Sequence, residues 1–185
     1  MGAVPVIPIY AGLNMSHETY MKEALIQAES ALAEGDFPVG CVIVLKDTII
    51  SMGRRENASV HGVNEIDHAE INALKQIDYP GTDPRRKDMI LYSTMEPCLM
   101  CFAAILLSGI RHIVYAYEDA MGGGTSCDRT HLSPLYRTPE IVIVPGVMRD
   151  ESLSLFKQFF LSPGNRYWKG SYLEDYTLSA TYQKT

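Results

Sequence analysis

Cys98 and Cys101 stand three residues apart, directly after Pro97, at the head of the apolar run LMCFAAILL. On a helix that spacing puts both sulfurs on one face. Alone, such a pair reads equally as a redox dithiol, half of a metal site or two small core residues. His68, in the segment DHAEINAL, opens another apolar periodic stretch. All three residues then fall in the first turn of predicted helices. Unpaired N–H groups and the positive end of the helix dipole favour a thiolate there, the form that binds metal. One imidazole and two thiolates fill three corners of a tetrahedral zinc site. The fourth corner is left for water, as in catalytic rather than structural zinc. Glu70 follows His68 by two residues. At that offset it points away from the His, so it need not be a ligand. It is placed to act on a water acidified by the metal, first as general base and then as general acid.

The flanking periodicities say what must position these groups. Residues 16–34 carry apolar positions at Met21, Ala24, Leu25, Ala28, Ala31 and Leu32, the stripe of a helix, with Ser16 as N-cap and Gly35 as its end. Residues 40–46 and 48–54 predict two strands with a turn at Lys46-Asp47. Asp67 is expected to cap a helix over 68–77. MILYST, RHIVYAYE and EIVIVPGV predict strands, and RDESLSLFKQFFL a helix. Strands joined through helices indicate a layered α/β sandwich with a mixed sheet covered on both faces. The expected organisation is an N-terminal arm over 1–15, a domain over 16–161 and an extension over 162–185.

The pattern H-x-E…P-C-x-x-C, here HAE and PCLMC, resembles the signature of zinc-dependent nucleobase deaminases. The chain is similar to the cytidine deaminase-like superfamily across about residues 16–161. FPVGCVIV, HAEINAL and EPCLMCFAAILLSGIRHIVYAYEDA most resemble its tRNA-adenosine deaminase and guanine deaminase branch. The resemblance implies a three-layer α/β/α sandwich around a mixed five-stranded sheet, one zinc ion per chain and a homodimer. It implies His68, Cys98 and Cys101 as ligands and Glu70 as proton shuttle. It further implies Asn57, Ala69, Phe37 and Asp119 as substrate contacts, whereas turn formation or core packing would explain Asn57, Phe37 and Asp119 otherwise.

Composition narrows the substrate. Among 185 residues, 22 are acidic and 16 basic, a formal net charge of −6. Phosphate binding draws on clustered Lys and Arg, and only DPRRKD and GRR cluster them here. Family members acting on tRNA tend to have a basic C-terminal helix, whereas this chain ends in an aromatic, weakly charged stretch with Trp168 and several tyrosines. Those aromatics could lid a small pocket or fill a subunit contact. No run of residues reaches the length of a membrane span, and four cysteines without an export signal suggest reduced thiols in the cytoplasm. The expected function is hydrolytic release of ammonia from a nucleobase, nucleoside or related aminated heterocycle, purines slightly ahead. Deamination of adenosine in tRNA is the alternative. A non-catalytic zinc-stabilised binding module is a third reading, against which Glu70 argues, since a structural site has no use for a proton shuttle.

Overall fold

Residues 40–45, GCVIVL, are buried on both faces because this strand has a partner on each edge and helices above and below. The computed structural model describes residues 16–56 and 64–183; the arm 1–15 and Asn57 lie outside the described residues. Helix α1 spans His17–Ala33. A hairpin of β1 (Gly40–Leu45) and β2 (Thr48–Arg54) follows, then α2 (Ala69–Lys75), β3 (Met89–Met95), α3 (Leu99–Leu107) and β4 (His112–Tyr117). The chain continues through α4 (Pro134–Arg137), β5 (Val142–Val144), α5 (Arg149–Leu161) and α6 (Tyr172–Ser179). The five strands form one mixed sheet in the order β2-β1-β3-β4-β5. β1 is antiparallel to β2 and β3, and β3, β4 and β5 run parallel.

Alternation along the strands separates two cores. Cys41, Ile43, Met89, Leu91 and Ile113 face the layer of α2 and α3. Val42, Val44, Ile90, Tyr92 and Val114 face α1 and Leu155 of α5. This is the expected α/β/α sandwich around a five-stranded mixed sheet. The hairpin turns at Lys46 (φ 48°) and Asp47 (φ 61°), as its strand lengths predict, and the Tyr20 hydroxyl donates to Asp47 at 3.2 Å.

Gly53 controls how closely α2 approaches β2. A Cβ on it would lie 2.2 Å from the Ala69 carbonyl oxygen and 2.5 Å from the Ala73 nitrogen. Only glycine lets the first turn of α2 rest on the strand, and that turn carries His68 and Glu70.

Three local expectations give way to better-bonded alternatives. His68, not Asp67, occupies the N-cap position of α2. The Asp67 carboxylate is instead drawn to Lys75 and accepts from Asn64. Ser16 stands at the N-cap of α1, but its hydroxyl makes no capping bond. The strand foreseen in EIVIVPGV is only three residues long, because Gly146 (φ 80°) and Met148 (φ 56°) turn the chain into α5. Residues 162–183 fold back on the domain, with α6 capped by Ser171, whose hydroxyl accepts from the Glu174 amide at 3.2 Å.

Candidate active site

The N-termini of α2 and α3 meet beyond the carboxyl end of β3, the edge where open α/β sheets carry their ligand sites. His68 is the N-cap residue of α2 and Cys98 that of α3. Cys101 lies one turn into α3 and is buried. His68 Nδ1 is 3.4 Å from Cys101 Sγ and 3.6 Å from Cys98 Sγ. Zinc bonds of 2.3 Å to sulfur and 2.0–2.1 Å to nitrogen at a tetrahedral angle require about 3.5 Å between N and S. The cluster therefore has the donor set and spacing of a zinc site, and it is the only such group of His, Cys and carboxylates among the described residues. Both cysteines are free thiols rather than a disulfide.

The electrostatics suit a cation. A hydrogen bond from Cys101 holds the Cys98 thiol down at about 4, aided by His68 and opposed by burial. Cys101 is pushed far up by the same bond and by burial. The pair thus favours a thiolate at Cys98, and a divalent cation held there would favour the thiolate at Cys101 as well.

Glu70 sits behind the cluster. It is 3% exposed, on the first turn of α2. Its Oε1 accepts from the Ser93 hydroxyl at 3.2 Å, and its Oε2 lies 3.5 Å from Cys101 Sγ. Burial pushes its carboxyl above the ordinary value, against the pull of the neighbouring His68. A carboxyl raised toward neutrality can both take and return a proton.

His68, Glu70 and Cys98 line a cavity of about 340 Å³. Three residues expected to touch substrate line it too. Ala69 presents the start of α2. Phe37 also packs in an aromatic cluster with Phe156, Phe159 and Tyr167, at ring separations of 5.1, 5.3 and 5.5 Å. Asp119 accepts from the amides of Met121 and Gly122 at 3.0 and 2.8 Å, so it shapes a turn as well as the cavity. Asn57 and His61 lie outside the described residues.

Glu96 holds the rim. Its carboxylate accepts from the Thr125 hydroxyl at 2.5 Å and the Thr125 and Asp119 amides at 3.2 and 3.3 Å. Gly124 completes this approach: a Cβ there would lie 2.6 Å from Leu99 Cα. The glycine-rich loop is thus fitted against the start of α3.

Among the lining residues not foreseen as site residues are Arg55, Glu65 and Tyr167, and Trp168 was singled out only as part of an aromatic stretch. Tyr167 and Trp168 come from the extension, whose aromatic content was the one sequence signal for a lid. Ser93 was likewise not foreseen, because a serine inside a strand carries no mark of its partner.

The family model of the cytidine and deoxycytidylate deaminase zinc-binding region matches residues 14–117. A tRNA-specific adenosine deaminase of Streptococcus pyogenes serotype M18 is 32% identical over 148 residues, covering 80% of this chain and 92% of that protein. A solved structure from a study of A-to-I editing by tRNA:A34 deaminases at the wobble position has TM-score 0.63 and 28% identity. It covers 74% of this chain and 98% of that one. A guanine deaminase from Nitrosomonas europaea has TM-score 0.63 over 85% of this chain and 96% of its own. At 20% identity that likeness speaks for the fold alone.

Proposed function

Because the chain belongs to the cytidine and deoxycytidylate deaminase zinc-binding family, we propose that it is a zinc-dependent hydrolytic deaminase of a nucleobase, nucleoside or related aminated heterocycle. The observation that carries this reading is a zinc donor set, His68, Cys98 and Cys101, that opens through His68 and Cys98 onto the same cavity as the buried carboxyl of Glu70. Zinc in that donor set supplies a Lewis acid that makes a water molecule nucleophilic near neutral pH.

The chain's own residues do the rest. Glu70 accepts a proton from the attacking water and delivers it to the ring. The water oxygen bonds to the amino-bearing carbon, Glu70 then carries the remaining hydroxyl proton to the amino group, the C–N bond breaks, and ammonia leaves as the ring becomes a carbonyl compound. Ser93 holds Oε1 of Glu70, and Oε2, on the side of the Cys101 sulfur, is the oxygen that moves the proton. Phe37 and Ala69 wall the ring, and Trp168 and Tyr167 close the cavity from the extension.

A second reading, deamination of adenosine in tRNA, is favoured by the naming of the S. pyogenes relative. The net charge of −6 speaks against a large RNA footprint.

A homodimer is part of the proposal. α3, LMCFAAILL, has no charged residue, and a helix apolar all round belongs in an interior. Yet Leu107 is 61% exposed and Met100, Ala103 and Ala104 are half-buried, a stripe at helical spacing that a second copy would cover.

The test is ammonia release by zinc-loaded protein from purines, pyrimidines, their nucleosides and a tRNA transcript. Release from a free heterocycle, lost in Glu70→Ala protein that still holds one zinc, supports the main reading. Release from the transcript alone, weakening steeply with salt, supports the second. Cys101→Ala should lose the metal and the activity together.

A further inference from the structure

Helix α2 has seven residues, too few turns to hold itself in water, so its placement depends on what ties it down. β2 is an edge strand, and an open edge leaves backbone carbonyls without a sheet partner. Two carbonyls of β2, at Arg54 and Met52, accept from side-chain amides of α2. Asn72 Nδ2 donates to the Arg54 carbonyl at 3.0 Å, and Gln76 Nε2 donates to the Met52 carbonyl at 2.8 Å. The two ties are alike and sit one turn apart, but they differ in what else they hold.

Asn72 holds His68 from both sides. Its Nδ2 also donates to the Asp67 carbonyl at 3.4 Å, in the peptide that enters His68. Its main-chain amide donates to the His68 carbonyl at 2.9 Å, in the peptide that leaves it. Because the side chain faces two carbonyl oxygens, it must present its NH2 end. One half-buried residue thus fastens both peptide groups of His68, and its side chain joins the first of them to the last residue of β2. His68 stands at the N-cap but makes no side-chain capping bond, so its own ring does not fix the turn. Gln76 has no such reach: its second bond goes to the Asn72 carbonyl at 3.0 Å, inside the helix.

We propose that Asn72 is a positioning residue for the metal ligand His68: by joining the Asp67 carbonyl to the end of β2, it sets the imidazole at its spacing from Cys98 and Cys101 before any metal arrives. The proposal rests on the zinc reading of that cluster and deepens it. Cys98 and Cys101 belong to one helix turn, so local geometry sets their relation. His68 comes from a different element, and its distance to the sulfurs must be fixed by packing. Ligands placed in advance bind more tightly, because less ordering is left to the binding step. Lys75 also reaches Asp67, but through an exposed ion pair to the side chain, and such pairs stabilise little.

The experiment compares matched truncations. Asn72→Ala and Gln76→Ala each remove an amide that ties α2 to β2, so both should lower Tm. Only Asn72→Ala should weaken zinc in a chelator competition, by about tenfold, the lower end of the loss seen for outer partners of metal ligands. Gln76→Ala should leave zinc affinity nearly unchanged. Asn72→Asp keeps the shape but sets a carboxylate against two carbonyl oxygens, so it should hold zinc no better than Asn72→Ala. Co²⁺ in place of zinc has absorption bands set by the geometry of its ligands. Those bands should shift or broaden in Asn72→Ala and match wild type in Gln76→Ala. In metal-free wild-type protein, the Asn72 amide, bonded to the His68 carbonyl, should resist hydrogen exchange as well as the later amides of α2 do.

The proposal is overturned if Asn72→Asp binds zinc as wild type does, or if the two alanine variants lose zinc affinity equally. Cobalt bands in Asn72→Ala identical to those of wild type, or a wild-type cluster that takes up neither metal, would overturn it too. So would an Asn72 amide that exchanges freely until metal is added. That last measurement uses wild-type protein, so a variant that fails to fold does not shelter the idea. The deaminase reading fails separately, by absence of ammonia from zinc-loaded wild-type protein, a result that leaves zinc binding through Asn72 standing.

Discussion

The Ser93 hydroxyl donates to Glu70 Oε1 at 3.2 Å, from the central strand β3 to the first turn of α2, and neither side chain is reached by solvent to any useful degree. In the proposed mechanism Ser93 is a positioning residue, one step behind the group that moves the proton. Glu70→Gln should lower kcat by about 10²–10⁴-fold, the range for loss of a general acid–base group, with one zinc still bound per chain. Ser93→Ala should cost about tenfold in kcat, as for one hydrogen bond to a charged group, with KM and zinc content unchanged. Steady-state ammonia release beside metal analysis checks both. An equal loss of zinc in Ser93→Ala would make the residue a scaffold for the metal cluster instead.

The extension forms one wall of the cavity through Tyr167, Trp168 and Leu173, while the zinc cluster lies on α2 and α3. Trp168→Ala should therefore raise KM several-fold and leave kcat within about twofold, since uniform binding is lost and the reacting groups are untouched. A collapse of kcat with unchanged KM would show that the extension acts on the chemistry rather than on occupancy.

The candidate metal cluster was written locally and the cavity around it was not. H-x-E and P-C-x-x-C bring donors together because helix geometry fixes what residues two or three apart can do, so His68, Glu70, Cys98 and Cys101 were legible as types at spacings. Ser93 meets Glu70 through strand register, and Arg55 and Glu65 meet Tyr167 through the return of the chain, so no short window of sequence contains those partners. Tyr167 and Trp168 approach from about a hundred residues beyond Glu65. The same limit explains Asp67: its capping role was sound locally, but Lys75, two turns on, competes for the carboxylate. The sheet was readable from alternation, except that β5 ends where Gly146 and Met148 adopt positive φ. The short helices α4 and α6 escaped notice because neither carries two full turns of apolar period.

Acid should loosen the junction between α6 and α5. Burial raises the Glu118 carboxyl, but hydrogen bonds from Arg149 and the Tyr176 hydroxyl, with the arginine charge, outweigh it and leave the group below its ordinary value. Arg149 Nε and Nη2 donate to Glu118 at 2.8 and 2.5 Å, and Tyr176 Oη at 2.9 Å. A carboxylate lowered by folding contributes stability that is fully present above its unfolded value. That contribution is lost as pH falls through the folded value. Tm of the wild-type protein should thus fall from about pH 5 downward. Glu118→Gln should start lower at neutral pH and lose less on acidification. Parallel Tm–pH curves for the two proteins would remove Glu118 from the acid response.

Gly53 ties the fold to the metal. Its missing Cβ is what lets Ala69 and Ala73 of α2 lie on β2, and the Ser51 hydroxyl reinforces the contact by donating to the Ala73 carbonyl. Gly53→Ala places a methyl about where the Ala69 carbonyl oxygen stands, so α2 must move outward. Forced overpacking of this kind costs about 1–3 kcal/mol. The displacement falls on the turn that carries His68 and Glu70, whereas Cys98 and Cys101 ride on α3 and stay in place. The expected result is a lower Tm together with weaker zinc retention in a chelator competition, and a loss of activity larger than the loss of metal, because Glu70 shifts as well. An alanine at position 40 serves as control: it meets Ala24 and Ala28 of α1 on the opposite face of the sheet. Gly40→Ala should lower Tm by a similar amount and leave zinc affinity nearly unchanged. Equal effects of the two variants on metal retention would show that the cluster senses global stability rather than the placement of α2.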